Sequence, residues 1–457
     1  MAQNVRNVLI ISEYIAPAQS VASIRWTKLA KYLSLTGRYR VSVLTNEKDF
    51  EGSWRPANHY LRDPLLERDM SCFDQYFVVP ETRALRRYYR IKQKFAMKKG
   101  KERTMEPASS GRVSRFLRTG RATVMDGSHI YKDFLQRKAA QKYIDSHPEI
   151  DGYDVVISSY SPAWPHWVAR QMKKRNTAMV WIADYRDPCY TQLTPRIFSR
   201  RHKRFAATVT RAADRIATIN KELLPLLYLS VNQRSAVISN GFDPAEAEEP
   251  QPSSCFSLLY TGTLYPEGMH FSDLGPVFSE VRTLINEGCM AKEDISLQYA
   301  GNTGDLFLRQ ASAYNLSDRV LHFGYLSRDA AAKRRKEAAV LLINTWNTWT
   351  ERGIVTGKIY EYMLARKPIL AVCSGDLPGS RIGEMIRDGG LGFCYEEPRL
   401  KEDGPKLKEW LREAYLSWKS EGSVSFVPNE EYVQQFGHDR LARIVDQIID
   451  EEARALD

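Results

Sequence analysis

Much that would mark a familiar class is missing from this 457-residue chain. No apolar stretch approaches the roughly 18 residues that a membrane-spanning helix needs. The run "NVLIIS" near the N-terminus is too short for a signal sequence and reads as a buried strand. Six cysteines, Cys72, Cys189, Cys255, Cys289, Cys373 and Cys394, lie far apart without a CxxC pair. That spacing argues against a disulfide framework and reads as free thiols in a reducing compartment. The eight histidines show no HExxH or paired spacing, and no DxD falls in a strand-end loop, so no metal constellation is expected. A Walker loop, a GxSxG elbow, internal repeats and low-complexity tracts are absent as well. The chain reads as cytoplasmic.

Acidic residues are scarce in one place. Residues 83–121 carry fourteen Lys or Arg against Glu102 and Glu106, which by itself accounts for the net charge of +11. In "RALRRYYRIKQKFAMKKGKER", Arg83, Arg86, Arg87, Arg90, Lys94 and Lys98 recur at helical spacing with Leu85, Tyr88, Ile91 and Phe95 interleaved. "RVSRFLRTGR" repeats the stripe with Arg112, Arg115 and Arg118 beside Val113, Phe116 and Leu117. A basic amphipathic helix with aromatics suits an anionic membrane surface. A solvated insertion has the same composition. Nucleic acid is disfavoured, because no RNA-binding motif accompanies the charge.

The length predicts two domains, and 43% hydrophobic residues are enough for sizeable cores. Continuous apolar runs at 7–12, 39–45, 153–159, 178–185, 215–220 and 235–241 read as strands covered on both faces. Helical stretches at 24–33, 165–174 and 198–213 separate several of them. "EAEEPQPSSCF" breaks the rhythm and reads as a linker over 246–256. A second series of strands follows at 257–264, 295–301, 319–324, 339–345 and 367–372. The expected organisation is a Rossmann-like domain over 1–245 with a basic insertion at about 83–142, then the linker. A second Rossmann-like domain spans 257–428, and an amphipathic helix over 429–457 is able to return to the first domain. Ligands of such sheets bind beyond the strand C-termini.

The most informative stretch is "TGKIYEYMLARKPILAV", residues 356–372. If Thr356 caps a helix, Ile359, Tyr362 and Met363 share an apolar face and Lys358 and Glu361 a polar one. The preceding loop carries Gly353 and Gly357, which allow close backbone approach to an anion. A helix N-terminus with free N–H groups suits a diphosphate, and a carboxylate one turn in can accept from ribose hydroxyls. Spacing alone is equally satisfied by a solvated Lys–Glu pair.

This stretch resembles the nucleotide-binding segment of GT-B glycosyltransferases, specifically the family 4 and 4-like group. Glu361 matches the second, ribose-binding glutamate of that pattern, while the first falls on Gly353, with Glu351 two residues early. "YIAPAQSVASIRWTKLAKYLSLTGRYRVSVLT", "ISSYSP", "ADYRDP", "ISNGFD" and "LLYTGTLYPEG" resemble family landmarks in family order. The usual glycine pair of the first loop is replaced by the stretch from Ser20 to Ser23.

The resemblance implies an α/β GT-B fold, two Rossmann-like domains facing a central cleft. It implies transfer of a hexosyl or N-acetylhexosaminyl group from a UDP- or GDP-linked donor to a hydroxyl, with retention and without a metal or cofactor. Asp184, Arg186 and Asp187 at a strand end are the expected catalytic charges, or else a loop-fixing pair. His166 matches a point where relatives use a histidine, and a lone surface histidine is the plainer reading. Tyr160 and Ser161 are acceptor-contact candidates. Lys358, Glu361, Thr356, Gly357, Gly262, Thr263 and Arg25 are the donor-site candidates. The expected acceptor is a polyprenyl-diphosphate-linked saccharide in bacterial surface polysaccharide assembly, with the enzyme peripheral at the inner face of the membrane. A non-catalytic nucleotide-sugar-binding protein and a nucleotide-sugar epimerase of the same architecture are the alternatives.

Overall fold

The computed structural model describes residues 5–48, 61–100, 112–190, 194–230, 232–247, 249–266 and 272–456, excluding the side chains of 95–100, 112–122 and 456. The chain divides into two compact units, Met1–Ser239 with Leu441–Asp457, and Asn240–Arg440.

Unit 1 holds a seven-stranded sheet of β1 (Arg6–Ile11), β2 (Tyr39–Asn46), β3 (Phe73–Val79), β4 (Val155–Tyr160), β5 (Val180–Tyr185), β6 (Arg215–Thr218) and β7 (Ser235–Val237). Its order is β3-β2-β1-β4-β5-β6-β7, and every pairing is parallel. Strand alternation sends Val8 and Ile10 to one face and Leu9 and Ile11 to the other. Both faces are covered, which is why these strands read as unbroken apolar runs. One face receives the helix Val21–Leu35 and the C-terminal residues Leu441, Val445, Ile448 and Ile449. Arg38 fastens that last helix through Asp446 (2.6 Å) and Asp450 (2.7 Å), and Arg215 through Glu452 (2.6 Å).

In unit 2 the strands are β8 (Phe256–Thr261), β9 (Ile295–Ala300), β10 (Val320–His322), β11 (Val340–Trp346), β12 (Ile369–Ser374) and β13 (Gly392–Glu396). They run parallel in the order β10-β9-β8-β11-β12-β13. Leu258 and Leu342 face one apolar cluster and Leu259, Leu341 and Ile343 the other.

Two expectations need correcting. The stretch read as a linker over 246–256 is folded into unit 2. There the Gln251 amide donates to the Lys336 carbonyl (3.1 Å) and Trp418 Nε1 to the Ser253 carbonyl (2.9 Å). Strands β3 and β13 lie where none was expected. Few residues of either are buried, one in β3 and two in β13, so neither carries a continuous apolar run.

The basic segment forms the helix Arg83–Gly100 and the start of the helix Arg112–Asp145. Leu85 and Tyr89 are buried, while Arg83, Arg86, Arg87, Arg90 and Lys94 are exposed. Ile91, interleaved with the basic stripe, is exposed too. The side chains of Phe95, Lys98, Arg112, Val113, Arg115, Phe116, Leu117 and Arg118 lie outside the described residues. No helix among the described residues is long and apolar enough to cross a membrane.

Candidate functional site

In unit 2 the strand order reverses between β8 and β11, and open parallel sheets bind ligands beyond the strand C-termini at such a point. Just past β8 the chain turns at Gly262, φ 106°, whose carbonyl accepts from the Tyr299 hydroxyl at 2.7 Å. A Cβ placed on Gly262 would lie 2.8 Å from Cε of Lys358. Glycine is therefore what lets the lysine lie across the end of β8. Lys358 opens the helix Lys358–Ala365, which Tyr362 anchors by donating to the Leu342 carbonyl (3.2 Å) and by its contact with Thr261 Oγ1 (3.1 Å). Ile359, Tyr362 and Met363 are buried on one face, as the periodicity predicts.

Lys358 Nζ sits 5.2 Å from the centroid of the Tyr260 ring, and it has no carboxylate within ion-pair distance among the described residues. Desolvation lowers its pKa below the ordinary lysine value, and the charge of Glu361 opposes that only in part. Glu361 is half-exposed and pairs with Arg335 at 3.2 Å. The expected row of free helix amides is not what forms. Gly357 is the cap residue, and the side chain that meets a helix amide is that of Thr356, whose Oγ1 accepts from the Lys358 amide at 3.4 Å. The Ile359 and Tyr360 amides turn back onto the Thr356 (3.3 Å) and Gly357 (3.2 Å) carbonyls. The positive charge of this corner is thus mainly the ammonium of Lys358. Thr263 is exposed beside it, its carbonyl accepting from the Tyr260 hydroxyl at 3.1 Å. Gly353 has φ 68°, a left-handed conformation in which a glutamate would be strained. Glu351 accepts from Trp346 Nε1 at 3.1 Å.

Unit 1 treats its predicted residues differently. Asp184 is fully buried and accepts from Arg25 (2.7 Å), Trp26 Nε1 (2.7 Å) and Ser159 Oγ (3.1 Å). Arg25, equally buried, also donates to the Ser239 carbonyl at 2.7 Å. This is a correction for both residues. A carboxylate and a guanidinium that saturate each other inside the core reach neither an acceptor hydroxyl nor a diphosphate. The surface reading of His166 is corrected too. It is wholly buried against Tyr185 and Phe205, its Nδ1 lies 2.7 Å from Ser158 Oγ, and desolvation pushes its pKa down to about 3. Of the charges that follow β5, Asp187 is exposed, while Arg186 donates to Ser159 Oγ (3.2 Å) and the Ser161 carbonyl (2.6 Å). Tyr160 and Ser161, at the exit of β4, line a cavity of about 660 Å³ within this unit.

No family model matches the chain, and no curated sequence does. Solved structures do. Sucrose-phosphate synthase from Thermosynechococcus elongatus superposes with a TM-score of 0.58 at 13% identity, covering 98% of this chain and 100% of its own. The chain has the GT-B fold. The apo lipopolysaccharide outer core galactosyltransferase WaaB matches this GT-B chain with a TM-score of 0.54 at 11% identity, over 98% and 99% of the two chains. E. coli trehalose-6-phosphate protein bound with UDP-2-fluoro glucose gives 0.50 at 12% identity, over 98% and 97%.

Several residues of the GT-B chain went unread in the sequence. Arg335, which holds Glu361, sits in the basic run "KRRKE" of the helix Arg328–Glu337, and nothing local separates it from Arg334. Glu13, directly after β1, is fully buried, with Lys132 Nζ at 2.6 Å and Trp164 Nε1 at 3.2 Å. Burial raises its pKa, but Lys132 and Lys48 outweigh that and hold the carboxyl below the usual range. A charged residue ending an apolar strand was the available signal.

Proposed function

We infer that this GT-B chain is a glycosyltransferase that moves a hexosyl or N-acetylhexosaminyl group from a nucleotide diphosphate sugar to a hydroxyl, with retention. The observation that carries the reading is Lys358, a cation without a carboxylate partner among the described residues, seated on Gly262 at the strand-order reversal of unit 2. A diphosphate placed there gains a charge-assisted bond, and the developing negative charge of the leaving nucleotide is stabilised by the same ammonium. Glu361, held by Arg335, is the acceptor for ribose hydroxyls, and Thr356, Gly357 and Thr263 border the site. UDP-2-fluoro glucose bound to a protein of the same fold supports a UDP-type donor. No metal is required in this scheme, so turnover should persist in excess EDTA.

The acceptor in this reading is a polyprenyl-linked saccharide of bacterial surface polysaccharide assembly, used at the inner face of the membrane. Support comes from the likeness to a lipopolysaccharide galactosyltransferase and from the helix Arg83–Gly100. Arg86, Arg87, Arg90 and Lys94 are exposed there without an ion-pair partner among the described residues, as an anionic leaflet would favour.

Gly353 and the burial of Asp184 and His166 favour a second reading, a nucleotide-sugar-binding protein without turnover. Incubation with UDP- and GDP-sugars separates the two. Release of free nucleotide with an acceptor extract supports transfer. Tight binding without release supports the second reading.

A further inference from the structure

The cavity beside Tyr160 and Ser161 has a charge pattern that neither the donor site nor the core of unit 1 explains. One wall is the helix Arg196–Thr210, which contains no Asp or Glu. It presents Ile197, Arg200, Arg201, Arg204, Phe205 and Thr208 to the cavity at helical i, i+3, i+4 spacing. The facing wall is the helix Arg112–Asp145, which contributes Arg137, its guanidinium 4.8 Å from the Trp167 ring centroid. None of these four arginines has a carboxylate partner among the described residues.

Like charges at i,i+4 destabilise a helix by a few tenths of a kcal/mol each. Arg196, Arg200 and Arg204 stack in that way. The two carboxylates of the cavity do not offset them. Asp126 faces His202 at 3.2 Å, and Asp133 accepts from the Trp164 amide at 2.7 Å. Burial, helped by the charge of Glu13, pushes the Asp133 pKa up to about 7, so its negative charge is incomplete at neutral pH. The volume, about 660 Å³, is that of a small-molecule site, and Trp167 and Ile197 add apolar wall beside the cations.

We propose that Arg137, Arg200, Arg201 and Arg204 bind a phosphate or diphosphate group of the acceptor in this cavity. The proposal rests on reading the chain as a transferase but names a site separate from the donor corner. Guanidinium forks fit phosphate oxygens in pairs, and the apolar wall takes the group attached to the phosphate.

The test uses the full chain carrying Lys358→Ala, which removes the donor-site cation. Inorganic pyrophosphate and farnesyl diphosphate are titrated by calorimetry into this protein and into the same protein with Arg200→Gln and Arg204→Gln. All the altered arginines are exposed, so folding should survive, and an unchanged Tm confirms it. The expected result is a loss of roughly tenfold or more in pyrophosphate affinity on adding the two arginine changes. UDP affinity measured with Lys358 intact should stay the same. Tighter binding of farnesyl diphosphate than of pyrophosphate marks a lipid-carried group, and equal binding marks a small phosphorylated acceptor. Equal affinity with and without the arginine changes overturns the proposal. So does loss on charge reversal of Arg86, Arg87 and Arg90 alone, which would mark non-specific attraction. A chain that binds pyrophosphate here but never UDP would sink the donor reading and leave this site standing.

Discussion

The two sheets share the order 3-2-1-4-5-6 in their first six strands, yet their strand ends use charge in opposite ways. In unit 1, Asp184 and Glu13 are buried and fully engaged by Arg25, Trp26 and Lys132. In unit 2, Lys358 has a ring and a glycine for neighbours and no carboxylate partner among the described residues. A cation at a strand end is open to an anionic ligand where the protein leaves it unneutralised, as it leaves Lys358 and does not leave Arg25. Buried pairs fix architecture, because removing one member strands the other in a medium that cannot solvate it.

That contrast can be broken most severely at Asp184. Asp184→Ala leaves Arg25 buried without its partner, and the expected cost is about 3–5 kcal/mol of stability, read by denaturant unfolding. A stable but inactive variant would return Asp184 to the catalytic list. His166 comes next. Its folded pKa of about 3 lies below the ordinary histidine value, so the unfolded chain binds the extra proton first. Its contribution is complete above about pH 6.5 and falls by about 1.4 kcal/mol per pH unit below that, roughly 2 kcal/mol by pH 5. His166→Phe should flatten this part of the stability profile, and an unchanged slope would place a charged imidazole in the fold. The smallest effect belongs to the exposed helix. Reversing Arg86, Arg87, Arg90 and Lys94 should change stability by less than about 0.5 kcal/mol. It should nevertheless abolish low-salt sedimentation with anionic liposomes, an attraction screened over about 8 Å at physiological salt. Equal binding to neutral vesicles would make the helix a solvated insertion.

How far the sequence was legible follows the same physics. Central strands such as β4 and β5, buried on both faces, could be read from unbroken apolar runs. Strands β3 and β13 could not, since few of their residues are buried and polar residues break their apolar runs. Gly262 and Lys358 could each be named as donor-site candidates, but 96 positions of chain separate them and no local pattern announces their contact. The partners that decide a charge's role are distant in sequence. Arg25 lies 159 positions from Asp184, and Lys132 lies 119 from Glu13. For that reason "ADYRDP" reads as a set of strand-end charges open to a ligand, while its first aspartate is buried against Arg25 and Trp26. The cavity arginines of 196–210 passed unread because the sequence shows a basic helix but not what faces it.

Donor binding in this chain depends, on the proposed reading, on Lys358 as the cation of the site. Isothermal titration of UDP and GDP into the wild-type chain and into Lys358→Ala tests this most directly. Affinity for the preferred nucleotide should drop by about 1.5–3 kcal/mol, tenfold or more, with Tm unchanged. Because the Lys358 pKa is lowered, wild-type affinity should also weaken as pH rises toward a value below the ordinary lysine range. Nucleotide binding of equal strength in the folded Lys358→Ala chain would contradict that reading.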